Sequence, residues 1–146
     1  MNFIKKIINY ISDNEDILVT LLTERFDNII SESKLTNKTS TEKNFFNVYT
    51  YGYVYMFIFL ATGHTRVEYT EKLLLDFCSQ KLALHFNSKI SLVDEIQKAI
   101  HNEGPHGAFE FKEGEQHAIE DFLEYYFDKN TSHQTHLYAF LTTPMD

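Results

Sequence analysis

The sequence predicts an all-α protein, a compact bundle of six or seven helices joined by short connections. Two observations support this fold class. Apolar residues recur at intervals of three and four in several segments, and residues that cap helices precede most of these segments. The 146 residues fit a single domain, 1–146, which is large enough to form a core without a disulfide or a metal.

The first part of the chain contains two predicted helices. Residues 3–11 place four isoleucines and a phenylalanine on one helical face. Ser12 and Glu15 then have the spacing of a capping box for the next helix, whose apolar stripe ends at Ile30. Residues 31–44 are mostly Ser, Glu, Lys, Asn and Thr, and this composition predicts a loop.

Residues 45–62 fit either a strand or a helix. Aromatic residues occupy every second position from 49 to 59, which is typical of a strand. Eighteen residues, however, exceed an ordinary strand and suit a helix that is buried on all sides. Gly63 fits the C-terminus of such a helix, and Thr65 with Glu68 fits the capping box of the next one. We therefore predict a helix here.

Three further helices are predicted in the second part of the chain. The first carries its apolar stripe between Val67 and Phe86, and includes Cys78. The second begins at Ser91, which has Asp94 three residues later. The third contains the apolar residues of 119–127 and is strongly amphipathic.

An α+β fold is the alternative. Residues 108–112 alternate in polarity, and residues 137–143 form a short element of undefined type. If both segments were strands, they would pair with residues 46–60 into a small sheet beside the helices.

Composition favours a cytoplasmic protein that does not enter membranes. Residues 45–63 are uncharged and long enough to test as a membrane span, but Asn47, Gly52 and several tyrosines favour a buried core helix. Residues 1–11 lack the long apolar core and cleavage site of a signal peptide. The single cysteine excludes an intramolecular disulfide.

The acidic charge is concentrated in one segment. Residues 103–128 hold eight acidic residues against Lys112 alone, and carry −7 of the chain's net charge of −8. Like charges one helical turn apart, such as Glu120 and Glu124, repel each other. The side of a helix that carries such like charges is either exposed to solvent only or a surface for a basic partner. The candidate partner-binding residues are Glu110, Glu113, Glu115, His117, Glu120, Asp121, Glu124 and Asp128.

These features predict a binding protein and not an enzyme. The expected function is that of an immunity or inhibitor protein, which masks the active site of a basic, nuclease-like toxin with its acidic helix. The chain has no GxSxG elbow, HExxH, paired CxxC or Walker pattern, so we expect no catalytic residue, cofactor or metal. Scattered basic residues and net acidity disfavour nucleic-acid binding. No oligomeric state is indicated.

The seven histidines support a second hypothesis, a metal-binding enzyme or sensor. His117 and Asp121 lie one helical turn apart, and His133 with His136 forms another pair. Other imidazoles and carboxylates of this region are His101, His106 and Glu113. A third hypothesis is a helical module that binds an apolar ligand or oligomerises through its aromatic residues.

Overall fold

The computed structural model describes residues 15–62, 80, 82, 84–86, 91–102, 109–130 and 132–144. These ranges contain five helices and no strand, so the predicted all-α class is confirmed. The helices are α1 (Glu15–Phe45), α2 (Val48–Thr62), α3 (Leu92–Asn102), α4 (Phe109–Tyr126) and α5 (His136–Thr142). The helix predicted at 3–11 and most of the one predicted at 67–86, with Cys78, lie outside the described residues, so the total of six or seven stays a prediction.

The alternative sheet is wrong, because each of its three segments is helical. Residues 46–60 lie almost entirely in α2, residues 109–112, the described part of the second segment, form the start of α4, and residues 137–143 belong to α5 and its C-terminal cap. Alternating aromatic residues also form two rows of i, i+4 neighbours on a helix. In one row Tyr53 stacks on Phe57 with ring centroids 6.0 Å apart. The alternation of aromatic residues therefore arises from a helix that has aromatic side chains on two opposite sides.

The predicted loop at 31–44 is also wrong, because this segment continues α1. Its hydroxyl side chains bond back to the helix: Ser33 donates to the Ile29 carbonyl at 2.7 Å, and Thr41 donates to the Asn37 carbonyl at 2.8 Å. At Asn37 the backbone leaves the helical conformation, and α1 kinks. The Asn37 side chain accepts a hydrogen bond from the Ser40 amide at 3.1 Å, so it caps the segment that follows.

The end of α1 holds α5 in place. Asn44 is buried, and its Nδ2 donates to the carbonyl oxygens of Phe140 at 2.8 Å and Thr143 at 2.7 Å. These carbonyls lie at the C-terminus of α5, where the helix supplies few amides to bond them, although the Thr143 amide also donates to the Phe140 carbonyl at 3.3 Å. At the other end of α5, the Thr135 hydroxyl accepts from the Tyr138 amide at 3.1 Å as an N-cap.

Helices α2 and α4 approach each other with their backbones in contact. A Cβ at Gly52 would overlap the carbonyl oxygen of Phe111, and a Cβ at Gly114 would overlap the carbonyl oxygen of Tyr49. Each glycine therefore gives the facing helix room for its main chain. This close crossing fixes which side chains of α4 face α2.

Aromatic rings fill the core between α1, α2 and α4. Phe57 of α2 contacts Phe26 edge to face at 5.4 Å and Phe122 of α4 in the same manner at 5.7 Å. The Arg25 guanidinium, which interrupts the apolar stripe of α1, lies 4.7 Å above the Tyr125 ring. Burial of these residues joins the three helices into one core.

The predicted start of α3 is confirmed. The Asp94 amide lies 3.4 Å from the Ser91 hydroxyl, and the Glu95 amide donates to the Ser91 carbonyl at 3.0 Å. Among the helices that the structure describes, none is long and apolar enough to cross a membrane, α2 included.

Candidate functional site

Helix α4 presents two different sides. The side that faces the core is formed by Phe111, Gly114, Ala118, Asp121, Phe122 and Tyr126. The candidate partner-binding residues fall into three groups of exposure. Glu110, Glu120, Glu124 and Asp128 are exposed, Glu113, Glu115 and His117 are half-buried, and Asp121 is buried.

Asp121 does not lie on the acidic surface where its charge predicts it. Its carboxylate is 4% exposed and accepts three hydrogen bonds. Tyr53 donates its hydroxyl to Oδ2 at 2.6 Å, and the His136 amide donates to the same oxygen at 2.9 Å. The other oxygen, Oδ1, lies 2.7 Å from Nδ1 of His136. Asp121 therefore links α2, α4 and the start of α5.

His117 lies at the edge of this network. Its Nδ1 is 2.6 Å from the Tyr49 hydroxyl, and its ring stacks on the His136 ring with centroids 4.1 Å apart. Burial, with a smaller contribution from the charge of Asp121, raises the pKa of Tyr49, so this hydroxyl stays neutral. The Tyr49 ring is in turn stacked on Phe140 at 4.2 Å.

Three potential metal ligands converge beside this network. His117, Glu120 and His136 each place one ligand atom within 4.8 Å of the others. Nε2 of His136 is 3.5 Å from Oε2 of Glu120. This three-residue cluster is hereafter called the His–Glu cluster.

The pairs predicted from spacing differ from the observed set. His117 and His136 come together although the sequence places them in separate pairs, and Glu120 joins them. Asp121 binds His136 from the buried side, while the His133 ring contacts Tyr138 at 5.0 Å. The cluster depends on the return of the chain after α4, which brings α5 back against it and is not encoded in local spacing.

The rest of the region has no comparable set of ligands among the described side chains. The side chain of His101 and all of residues 103–108, which include His106, lie outside the described part of the chain. Glu113 and Glu115 are half-buried on α4. Burial raises the pKa of the Glu115 carboxyl, and nearby Lys112 opposes that rise.

A second polar contact lies between α1 and residues 84–86. Nε2 of His85 is 2.6 Å from Oδ1 of Asp27, and these side chains, with Thr23 and Leu84, line a cavity of ≈ 300 Å³.

Comparison of the chain with protein-family models, curated protein sequences and solved structures gave no match.

Proposed function

We propose that this protein binds a basic protein partner through the outer surface of α4, as a small immunity or inhibitor protein does. The observation that carries the proposal is a continuous row of exposed side chains with helical spacing. This row, hereafter the acidic stripe, is formed by Glu120, Leu123, Glu124, Phe127 and Asp128. The amides of Phe127 and Asp128 donate to carbonyls four residues earlier, so the row keeps its spacing beyond the end of α4.

The composition of the acidic stripe suits a protein interface. Leu123 is 43% exposed and Phe127 is 41% exposed, and they are flanked by three carboxylates. Apolar anchors inside a charged rim are the arrangement on which many interfaces depend.

The charge of α4 favours a cationic partner. Residues 109–130 carry seven acidic residues against Lys112 and Lys129. A field of this kind accelerates encounter with a basic surface and repels acidic surfaces. In a nuclease-like enzyme the basic surface is the groove that binds phosphates, so an acidic helix seated there would exclude the nucleic acid. Inhibition by this route needs no catalytic group on the inhibitor.

The partner is identified by capture from a lysate of the organism that makes the chain. Immobilised protein is incubated with lysate at low salt and at high salt, and the retained proteins are identified by mass spectrometry. We expect one basic protein that is retained at low salt and whose retention is weaker at high salt. Its enzymatic activity, assayed on nucleic acid, should fall as the chain is added. Specific retention of an acidic protein, or no specific retention at either salt, would contradict the proposal.

A further inference from the structure

We propose that the His–Glu cluster is a binding site for a divalent transition-metal ion, with Zn²⁺ as the best match. This inference is independent of the proposed partner, because it rests on the geometry of His117, Glu120 and His136 alone. Two imidazoles and one carboxylate form a donor set that Zn²⁺ prefers, whereas Mg²⁺ and Ca²⁺ select oxygen ligands.

The two imidazole rings are held so that the same nitrogen of each is left for a metal. Nδ1 of His136 lies 2.7 Å from the Asp121 carboxylate, which accepts a hydrogen bond from this nitrogen and so leaves the lone pair on Nε2. Nδ1 of His117 lies 2.6 Å from the Tyr49 oxygen, which accepts a hydrogen bond from this nitrogen when it carries the proton. In the metal-bound state both rings therefore carry the proton on Nδ1 and ligate through Nε2.

The partners behind the ligands are themselves fixed. Asp121 is buried, and the Tyr53 hydroxyl donates to it at 2.6 Å, so the carboxylate that orients His136 has little freedom to turn. A carboxylate behind a histidine is the common outer partner of zinc ligands, and it raises the basicity of the ring. The Tyr49 hydroxyl has the corresponding position behind His117.

Metal binding requires the ligand atoms to approach each other and one imidazole ring to rotate. Bonds of the usual length at tetrahedral angles place ligand atoms about 3.3 Å apart. Glu120 and His136 already approach this separation at 3.5 Å, while the widest pair of the cluster lies within 4.8 Å. A metal ion lies in the plane of each ring that binds it, and the two rings are stacked at 19° to each other. One ring therefore tilts as the ion binds.

The side chains that must move have room to do so. The side chains of Glu120 and His136 are 49% and 41% exposed, so neither is locked in the core. Three protein ligands leave the fourth tetrahedral position to water, as in zinc sites that remain open to a further ligand.

The test is calorimetric titration of the untagged full-length chain with Zn²⁺, beside the variants Glu120→Gln and His117→Ala. We expect one ion per chain, and a loss of affinity greater than about tenfold in either variant. His133→Ala removes a nearby histidine that lies outside the cluster, and it should leave the affinity unchanged. Tyr49→Phe, which keeps the ring but removes the outer hydrogen-bond partner, should weaken binding by about tenfold.

Two further readouts separate a site from a folding defect. Circular dichroism reports whether each variant retains its helices, and Glu120→Gln keeps the volume of a side chain that is 49% exposed. Co²⁺ should give the visible absorption of a four-coordinate ion in the wild-type chain and lose it in Glu120→Gln. Absence of stoichiometric Zn²⁺ binding, or binding that Glu120→Gln and His117→Ala leave intact, would overturn the proposal.

Discussion

At the residue scale, Asp121 has the largest structural role of the acidic residues on α4. Its two oxygens accept hydrogen bonds from Tyr53, which is 68 positions away, and from His136, which is 15 positions away. A carboxylate that leaves water must recover its lost hydration through such partners. The charge of Asp121 is evident from the sequence, but its burial depends on distant partners that no local pattern specifies.

We predict that Asp121→Asn destabilises the fold by about 2 kcal/mol. An amide keeps the volume of the side chain, but it removes the charge from these hydrogen bonds and presents a donor where Tyr53 or His136 also donates. Urea unfolding followed by circular dichroism measures the change. Glu124→Gln is the matched control, since it neutralises an exposed carboxylate on the same helix and should stay within about 0.5 kcal/mol of wild type. Equal stabilities of the two variants would contradict the structural role of Asp121.

Buried tyrosines make the fold sensitive to alkali. Burial, with a smaller contribution from Glu95, raises the pKa of Tyr51 from 10.0 to about 12. Burial likewise raises the pKa values of Tyr49, Tyr53 and Tyr126. Because the folded state holds these protons more tightly than the unfolded chain, their contribution to stability is complete below pH 10, and the contribution of Tyr51 is lost as the pH rises from 10 through about 12.

The variant Tyr51→Phe should therefore lose less stability than wild type between pH 10 and pH 12. The measurement is the urea midpoint as a function of pH, with the near-ultraviolet absorbance of phenolate recorded in parallel. Each protein is referred to its own midpoint near neutral pH, which removes any general effect of the substitution. Identical alkaline slopes for the two proteins would show that Tyr51 does not resist ionisation in the folded state.

At the scale of elements, the sequence predicts helices well where an apolar stripe and a cap coincide. The start of α3 at Ser91 is such a case. The part of α1 that follows Ile30 is not such a case, because its polar residues form no apolar stripe and have the composition of a loop. There the hydroxyl groups bond to carbonyls of their own helix, which does not strengthen it, and the segment is held against α5 by Asn44, whose amide donates to carbonyls of that helix. Such stabilisation comes from another element and cannot be inferred from the segment itself.

The crossing of α2 and α4 gives a prediction at this scale. Gly114→Ala should destabilise the fold by about 3 kcal/mol, because the new methyl group meets the main chain of α2, which cannot rotate away as a side chain does. Without this contact, alanine would favour the helix over glycine by about 1 kcal/mol. Gln116→Ala, at an exposed position two residues later, is the control and should not destabilise. Thermal unfolding by circular dichroism measures both, and a stabilised Gly114→Ala would contradict the close approach.

At the scale of the whole molecule, the all-α class follows from the sequence, while the assembly of its site does not. The concentration of charge on α4 is visible in the composition of 103–128, and it leads to the acidic stripe. The His–Glu cluster depends on how α5 folds back against α4, which the long-range bonds of Asp121 and Asn44 determine. The exposed carboxylates of α4 could therefore be anticipated from one helix, apart from the buried Asp121, whereas a cluster built from two helices could not.

The acidic stripe and the His–Glu cluster share Glu120, so their tests must be separated. Glu124 and Asp128 belong to the stripe and not to the cluster. Reversing the charge of these two residues therefore tests partner binding while it leaves every proposed metal ligand in place. Zinc binding by that variant should equal that of wild type.

The most direct test of the proposed function is the association rate of the captured partner with three forms of the chain. They are the wild type, the double variant Glu124→Lys with Asp128→Lys, and the control Glu24→Lys with Glu42→Lys, which makes the same change in net charge on the exposed side of α1. We predict that association with the stripe variant is slower by at least about tenfold at low salt and depends less on salt, while the control stays close to wild type. Equal rates for the two double variants would contradict the claim that the outer surface of α4 is the binding site.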